Sequence, residues 1–177
     1  MPPRANPERE PIRTPLSRAE GIDFSIIELL FFAYRDFTSD PDQILERYGF
    51  GRAHHRVVHF VNRRPGLTVA ELLDVLQITK QSLARVLKQL IDTGHITQVQ
   101  GLRDRRQREL YPTEKGRNLA LALATPQSRR IGQAIGNYGP VERDAIEGFL
   151  RAMVNPELRA QVDGRDTDGA DERSDQT

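Results

Sequence analysis

Apolar side chains recur at helical spacing through most of this chain, and the departures from that spacing divide it into elements. From Ile22 to Phe37 the residues Ile26, Ile27, Leu29, Leu30, Phe31, Phe32, Tyr34 and Phe37 leave a helix apolar on nearly every side. A surface helix in a monomer carries one apolar stripe. Two environments suit a helix apolar all round, the centre of a core or a subunit interface. We favour the interface, because a chain this small rarely buries such a helix alone. Asp40-Pro41 breaks the pattern, and Pro41 to Tyr48 reads as a short further helix. Arg52 to Asn62 is the second main helix, with Val57, Val58 and Val61 facing inward, and Pro65-Gly66 is a turn. Thr68-Val69-Ala70-Glu71 has the form of a capping box, opening a third helix through Leu72, Leu73, Val75 and Leu76. Gln77-Ile78 is a tight turn, and Thr79 caps a fourth helix that ends at Gly94.

The period then changes. Ile96 to Gln100 alternates as a strand does, and Leu110-Tyr111 belongs to a second strand. Gly101 to Glu109 forms the hairpin tip between them and holds four arginines. Pro112 suggests an early end to the second strand. Thr113 caps a long helix bearing Leu119, Leu121, Leu123, Ile131 and Ile135, which Gly139-Pro140 ends. A last helix carries Val141, Ala145, Ile146, Phe149, Leu150 and Met153. Residues 1–20, with five prolines, and 157–177, with almost nothing to bury, read as a disordered arm and a disordered acidic tail. The folded part is then 21–156, with a core at 51–117 between flanking segments 21–48 and 118–156.

A formal net charge of +1 conceals an asymmetry. Residues 50–117 carry +7, whereas 21–49 and 157–177 carry −4 each. A basic middle between acidic flanks is the footprint of a face that binds a polyanion. The absence of cysteine removes disulfides, thiolate metal sites and thiol nucleophiles, and it is compatible with the reducing cytoplasm expected here. The start lacks the apolar stretch of a signal peptide, and no apolar run is long enough to cross a membrane.

Helix, tight turn, helix, strand, basic hairpin and strand make a winged helix-turn-helix. The fold class is therefore mainly α, with a small β-hairpin wing and a helical dimerisation region formed by N- and C-terminal helices. In the fourth helix Leu83, Val86, Leu87, Leu90 and Ile91 form one buried stripe, while Lys80, Gln81, Arg85, Lys88 and Gln89 take the other side. The N-terminal end of a recognition helix meets base edges in the major groove. Arg and Lys suit guanine there and Gln suits adenine, while the Thr79 and Ser82 hydroxyls suit phosphates. In the hairpin, Arg103, Arg105, Arg106 and Arg108 surround Asp104. One arginine fits a narrow A–T minor groove, and Asp104 can orient it by a charge-assisted hydrogen bond.

Arg103-Asp104-Arg105-Arg106 followed by Thr113-Glu114-Lys115-Gly116 resembles the wing signature of MarR-type regulators in residue type and spacing. Thr68 to Gly94 is similar to the helix-turn-helix of that family, and the likeness covers residues 22–156. It implies a dimer with intertwined terminal helices, Arg106 in the minor groove and Asp104 holding it. Pro112 and His95 depart from the family pattern, which has aliphatic residues there.

His54, His55 and His59 lie on the second helix, and His55 and His59 share a face. They could hold a metal with help from Asp36, Asp40 or Asp42, or simply pack and hydrogen-bond; we favour packing. By the resemblance, the patch is also the first place to seek an effector, whether a small molecule or a metal. No Gly-rich phosphate loop, nucleophile elbow or paired acid/base spacing appears, so no enzyme and no cofactor are expected. The expectation is a homodimeric, sequence-specific regulator of transcription, usually a repressor in that family, on double-stranded pseudo-palindromic DNA. The alternative is a winged-helix interaction module or co-regulator without specific DNA binding.

Overall fold

The computed structural model describes residues 21–101, 107–136 and 138–163. Helix α1 (Phe24–Glu46) is shared between two compact units, one ending at Asp36 and the other beginning at Phe37. In the first unit the Asp23 carboxylate accepts the N–H groups of Ser25 and Ile26 at 3.1 and 3.3 Å, satisfying donors that a helix start leaves open. Ile26, Ile27, Leu29, Phe31, Phe32 and Tyr34 are all exposed.

The second unit continues through α1 to α2 (Arg52–Arg63), β1 (Leu67–Thr68), α3 (Val69–Leu76), α4 (Lys80–Asp92), β2 (Ile96–Gln100), β3 (Arg108–Pro112), α5 (Glu114–Ile135), α6 (Pro140–Met153) and α7 (Pro156–Asp163). The strands form an antiparallel sheet in the order β1-β3-β2, with Leu67 opposite Leu110 and Gln98 opposite Leu110 on the other side. Leu45, Val57, Val58, Val61, Leu72, Leu83, Leu90, Ile96 and Leu110 make the core, each nearly or fully buried. Burying a side chain of this size stabilises by about 1.5–3 kcal/mol, so α4 is fastened through its whole inner stripe.

Five sequence expectations are corrected. First, the helix does not break at Asp40-Pro41: α1 runs through Pro41 to Glu46. Proline removes the N–H that would bond the carbonyl of Phe37. The side-chain amide of Gln127 on α5 donates to that carbonyl at 3.4 Å instead. Thr38, Pro41 and Leu45 are buried on one face, so packing outweighs the lost bond. Second, the hairpin tip is shorter than expected, because Arg108 and Glu109 already belong to β3. Third, β3 runs on to Pro112, opposite Ile96; as the last residue of its strand, proline forfeits little of the ladder. Fourth, α5 stops at Ile135, and Gly139-Pro140 opens α6, with Gly139 as N-cap and proline in the first turn. Fifth, the tail does not begin at Glu157: Pro156–Asp163 form α7, which Arg159 anchors by donating to the carbonyls of Val154 and Ala152, each at 2.8 Å. The two-residue strand β1 had no counterpart in the sequence reading.

Candidate nucleic-acid interface

The recognition element is built from its two ends. Thr68 and Glu71 cap α3 reciprocally: the Glu71 N–H donates to Thr68 Oγ1 at 3.3 Å, and the Thr68 N–H donates to the Glu71 carboxylate at 2.8 Å. The Thr68 hydroxyl also donates to the Glu71 carboxylate at 2.6 Å, and this bond, followed by that from the Thr68 N–H, holds the Glu71 carboxyl below its usual range. Gln77 turns the chain with φ of 50°, in the left-handed region. Thr79 then caps α4 by accepting the Ser82 N–H at 3.1 Å, and the two hydroxyls hydrogen-bond to each other at 2.9 Å.

At the far end, Gly94 adopts φ of +72°. Its N–H donates to Ile91 O at 2.9 Å and the His95 N–H donates to Leu90 O at 2.8 Å, the two bonds of a Schellman motif. The first turn of α5 closes over this corner. Thr113 Oγ1 donates to Gly94 O at 2.7 Å, and Lys115 Nζ donates to Thr93 O at 2.8 Å, a cation on the negative end of α4. Gly116 sits so close to the His95 backbone that no side chain fits. The Thr113-Glu114-Lys115-Gly116 run therefore has a mechanical role: it clamps the end of the recognition helix to the start of the wing.

Between these ends α4 turns Leu83, Val86, Leu87 and Leu90 into the core. Thr79, Lys80, Gln81, Arg85 and Lys88 are exposed and Ser82 is half-exposed, so the structure brings these six candidates together on one helix. Lys88 forms an exposed i,i+4 ion pair with Asp92; such pairs are weak and leave the ammonium available. Arg108 stands exposed on β3 opposite Gln100, and the last described rung of the wing is the Gly101 N–H donating to Gln107 O at 3.0 Å. Arg103, Asp104, Arg105 and Arg106 lie outside the described residues.

Gln89 departs from the outward face assigned to it. Its carbonyl oxygen accepts from His54 Nε2 at 2.9 Å, and its amide nitrogen donates to Gly49 O at 3.3 Å. Sequence reasoning also missed the clamping roles of Thr113 and Lys115. Their motif was visible in the sequence, but its contact with α4 spans about twenty residues of chain.

The three histidines do not act as one set. His54 Nδ1 accepts the Gly51 N–H at 3.1 Å and its ring stacks on Phe50 at 4.7 Å, so both nitrogens are engaged. Burial lowers the His55 pKa, and the nearby Asp42 carboxylate partly offsets that. Asp42 is itself held by Arg52 at 2.8 Å. His59 is exposed and meets Phe60 edge-on. Among the described residues no three His, Asp or Glu side chains converge as a metal site.

His95 is the buried histidine. The Thr93 hydroxyl donates to Gln89 O at 2.7 Å, so the 2.9 Å contact between Thr93 Oγ1 and His95 Nδ1 requires Nδ1 to carry the proton. Nε2 is buried without a hydrogen-bond partner, and the ring packs at steep angles against Tyr48 and Phe50. Burial lowers the His95 pKa, and the Lys115 ammonium lowers it further. Well above the ordinary value of 6.5 the ring is neutral in both the folded and the unfolded chain. Below it, the unfolded chain takes a proton that the folded chain resists, so stability falls as pH drops toward the folded pKa. His55 acts with the same sign. Unfolding by urea at fixed protein concentration should therefore show stability declining between pH 7.5 and 5.5, with a limiting slope of about 1.4 kcal/mol per pH unit for each such proton. His95→Leu should remove its share; an equal decline in that variant would refute the assignment.

This geometry defines a winged helix-turn-helix with a clamped recognition helix and a cationic outer face. A model of the MarR family matches residues 48–107. The chain is 51% identical over 136 residues to the HTH-type transcriptional regulator PetP of Rhodobacter capsulatus, spanning 75% of this chain and 80% of that protein. It is 31% identical over 74 residues to the transcriptional activatory protein BadR of Rhodopseudomonas palustris, spanning 41% and 42%. In fold it is similar to a MarR transcriptional regulator from Methanosarcina mazei, with a TM-score of 0.60 and 24% identity over 74% of this chain and 94% of the other. It is likewise similar to Streptococcus pneumoniae FabT, solved in complex with DNA, with a TM-score of 0.59 and 17% identity over 74% and 94%. The chain belongs to the MarR family of transcriptional regulators, and its relatives by sequence are regulators rather than enzymes. No helix among the described residues is long and apolar enough to cross a membrane.

Proposed function

We propose that this regulator acts as a homodimer that binds a pseudo-palindromic operator, each subunit laying the N-terminal half of α4 in a major groove. The observation that carries this reading is the division of α4, whose apolar residues are buried while Thr79, Lys80, Gln81, Arg85 and Lys88 stand outward. In this assignment Arg85, Lys80 and Gln81 read base edges, Thr79 and Ser82 hold phosphates, and Lys88 meets the backbone. Arg103, Arg105, Arg106 and Arg108 supply the wing, Arg106 enters the minor groove and Asp104 orients it. Segments 21–48 and 118–156 form the dimerisation region around a DNA-binding core at 51–117. The exposed apolar residues of α1, together with Leu121, Ile131, Val141, Phe149, Leu150 and Met153, support it. Repression is the proposed outcome, relieved when an effector near His55 and His59 changes the spacing of the two readers.

A gel shift on the DNA upstream of its own gene tests the reading. A discrete complex near 10⁻⁸ M or tighter at physiological salt is the expected order of magnitude. A smear that disappears with modest salt would instead favour a module without specific binding. Lys88→Ala should lower affinity on every sequence and reduce the slope of log affinity against log salt by about one unit per subunit. An unchanged slope would remove Lys88 from the footprint.

A further inference from the structure

We propose that His54, Gln89 and Gly49 form a positioning latch that fixes the bearing of the recognition helix against the junction between α1 and α2. The inference rests on α4 being the DNA reader and adds residues that touch no base. The chain of bonds has one direction. The Gly51 N–H donates to His54 Nδ1 at 3.1 Å, which leaves the ring proton on Nε2. That N–H donates to Gln89 Oε1 at 2.9 Å, and the Gln89 amide donates onward to Gly49 O at 3.3 Å. Phe50 lies between the two glycines, buried, and stacks on the His54 ring at 4.7 Å with the planes 4° apart. The ring is therefore held by stacking as well as by both nitrogens.

Gln89 is well placed for this role. Gln81, Arg85 and Gln89 follow one another at four-residue steps, so they share a stripe on α4. The first two face outward, and the third is tied to the loop. The buried stripe of leucines and valines fixes the depth of α4 but resists rotation about its axis weakly, because apolar contact is non-directional. A directional bond on the reader stripe itself sets the angle at which Gln81 and Arg85 meet a groove. It also links them to Gly49, three residues after the end of α1. A shift of the α1–α2 junction is thereby passed to the reading side chains.

The experiment measures specific and non-specific DNA affinity for the full chain, its Gln89→Met and His54→Phe variants, and the double variant. Methionine and phenylalanine keep size and stacking but remove the bonds. Each single variant should lose about tenfold in operator affinity, the scale of one hydrogen bond to a well-ordered partner. Non-specific affinity and salt slope should hold, and the double variant should lose no more than a single one, because the bonds act as a unit. Nitrogen-proton spectra of the wild-type His54 ring should show the proton on Nε2. Additive losses, a parallel fall in non-specific affinity, or a lower unfolding midpoint with discrimination intact would each overturn the latch. If the variants match a wild-type protein that discriminates its operator, the latch fails and the reader stands. If the wild type itself shows no sequence preference, the reader fails and the latch falls with it.

Discussion

Gly116→Ala will cost this protein about 3 kcal/mol of stability, at the upper end of overpacking effects. A β-carbon there would sit 2.9 Å from the carbonyl carbon of His95 and closer still to its oxygen. Both obstacles are backbone, in a corner where the Thr113 N–H donates to the same carbonyl at 3.2 Å. No rotamer change relieves the clash. The first turn of α5 must lift, releasing the Thr113 bond to Gly94 O and the Lys115 bond to Thr93 O. A domain of ordinary stability holds only about 5–15 kcal/mol, so the loss should appear as a large shift of the urea midpoint at fixed protein concentration. DNA binding should fall as well, because the end of α4 loses its clamp. A change under about 0.5 kcal/mol, the size of an ordinary surface substitution, would mean that the corner is looser than its hydrogen bonds indicate.

On the proposed homodimer, Phe31→Glu should abolish tight operator binding without touching a side chain proposed to face DNA. Phe31 is 69% exposed and neighbouring Leu29 63% exposed, on a helix whose apolar residues Ile27, Phe32 and Tyr34 are exposed as well. Such a surface is rare on a monomer. A carboxylate at its middle would have to lose its water on association, a cost the partner's apolar side chains cannot offset. The variant should sediment as a monomer at micromolar concentration. A dimer engages two half-sites through one linkage, and that avidity is worth roughly 10²–10⁴-fold, so operator affinity should fall by about that factor. Helical content by circular dichroism should persist, since Phe31 lies outside the buried core. A variant that remains dimeric would place the interface elsewhere.

Where a signal is local, the chain already announces it. The Thr68–Glu71 box, the Thr79 and Thr113 caps and the left-handed Gly94 depend on residues a few positions apart, and each stands where its pattern puts it. The buried stripe of α4 follows from the 3.6-residue period alone. The run from Thr113 to Gly116 and the basic hairpin likewise pointed to the family, which the 51% identity to PetP, together with the family match to residues 48–107, bears out.

Long-range partnerships were the part that no window of sequence contained. Pro41 reads as a helix breaker until Gln127, distant in the chain, meets the carbonyl that the proline orphans. Gln89 reads as an outward-facing residue of α4 until the fold brings His54 and Gly49 against it. Local propensity and periodicity are properties of neighbours along the backbone, so the amino-acid order alone marked helices α2, α3 and α4, the Thr68, Thr79 and Thr113 caps and the polar side of α4. Which polar group satisfies which is settled only when separate elements pack. Tertiary structure alone therefore decided that α1 stays whole, that α5 clamps the recognition helix, and that one glutamine is tied to the junction between α1 and α2.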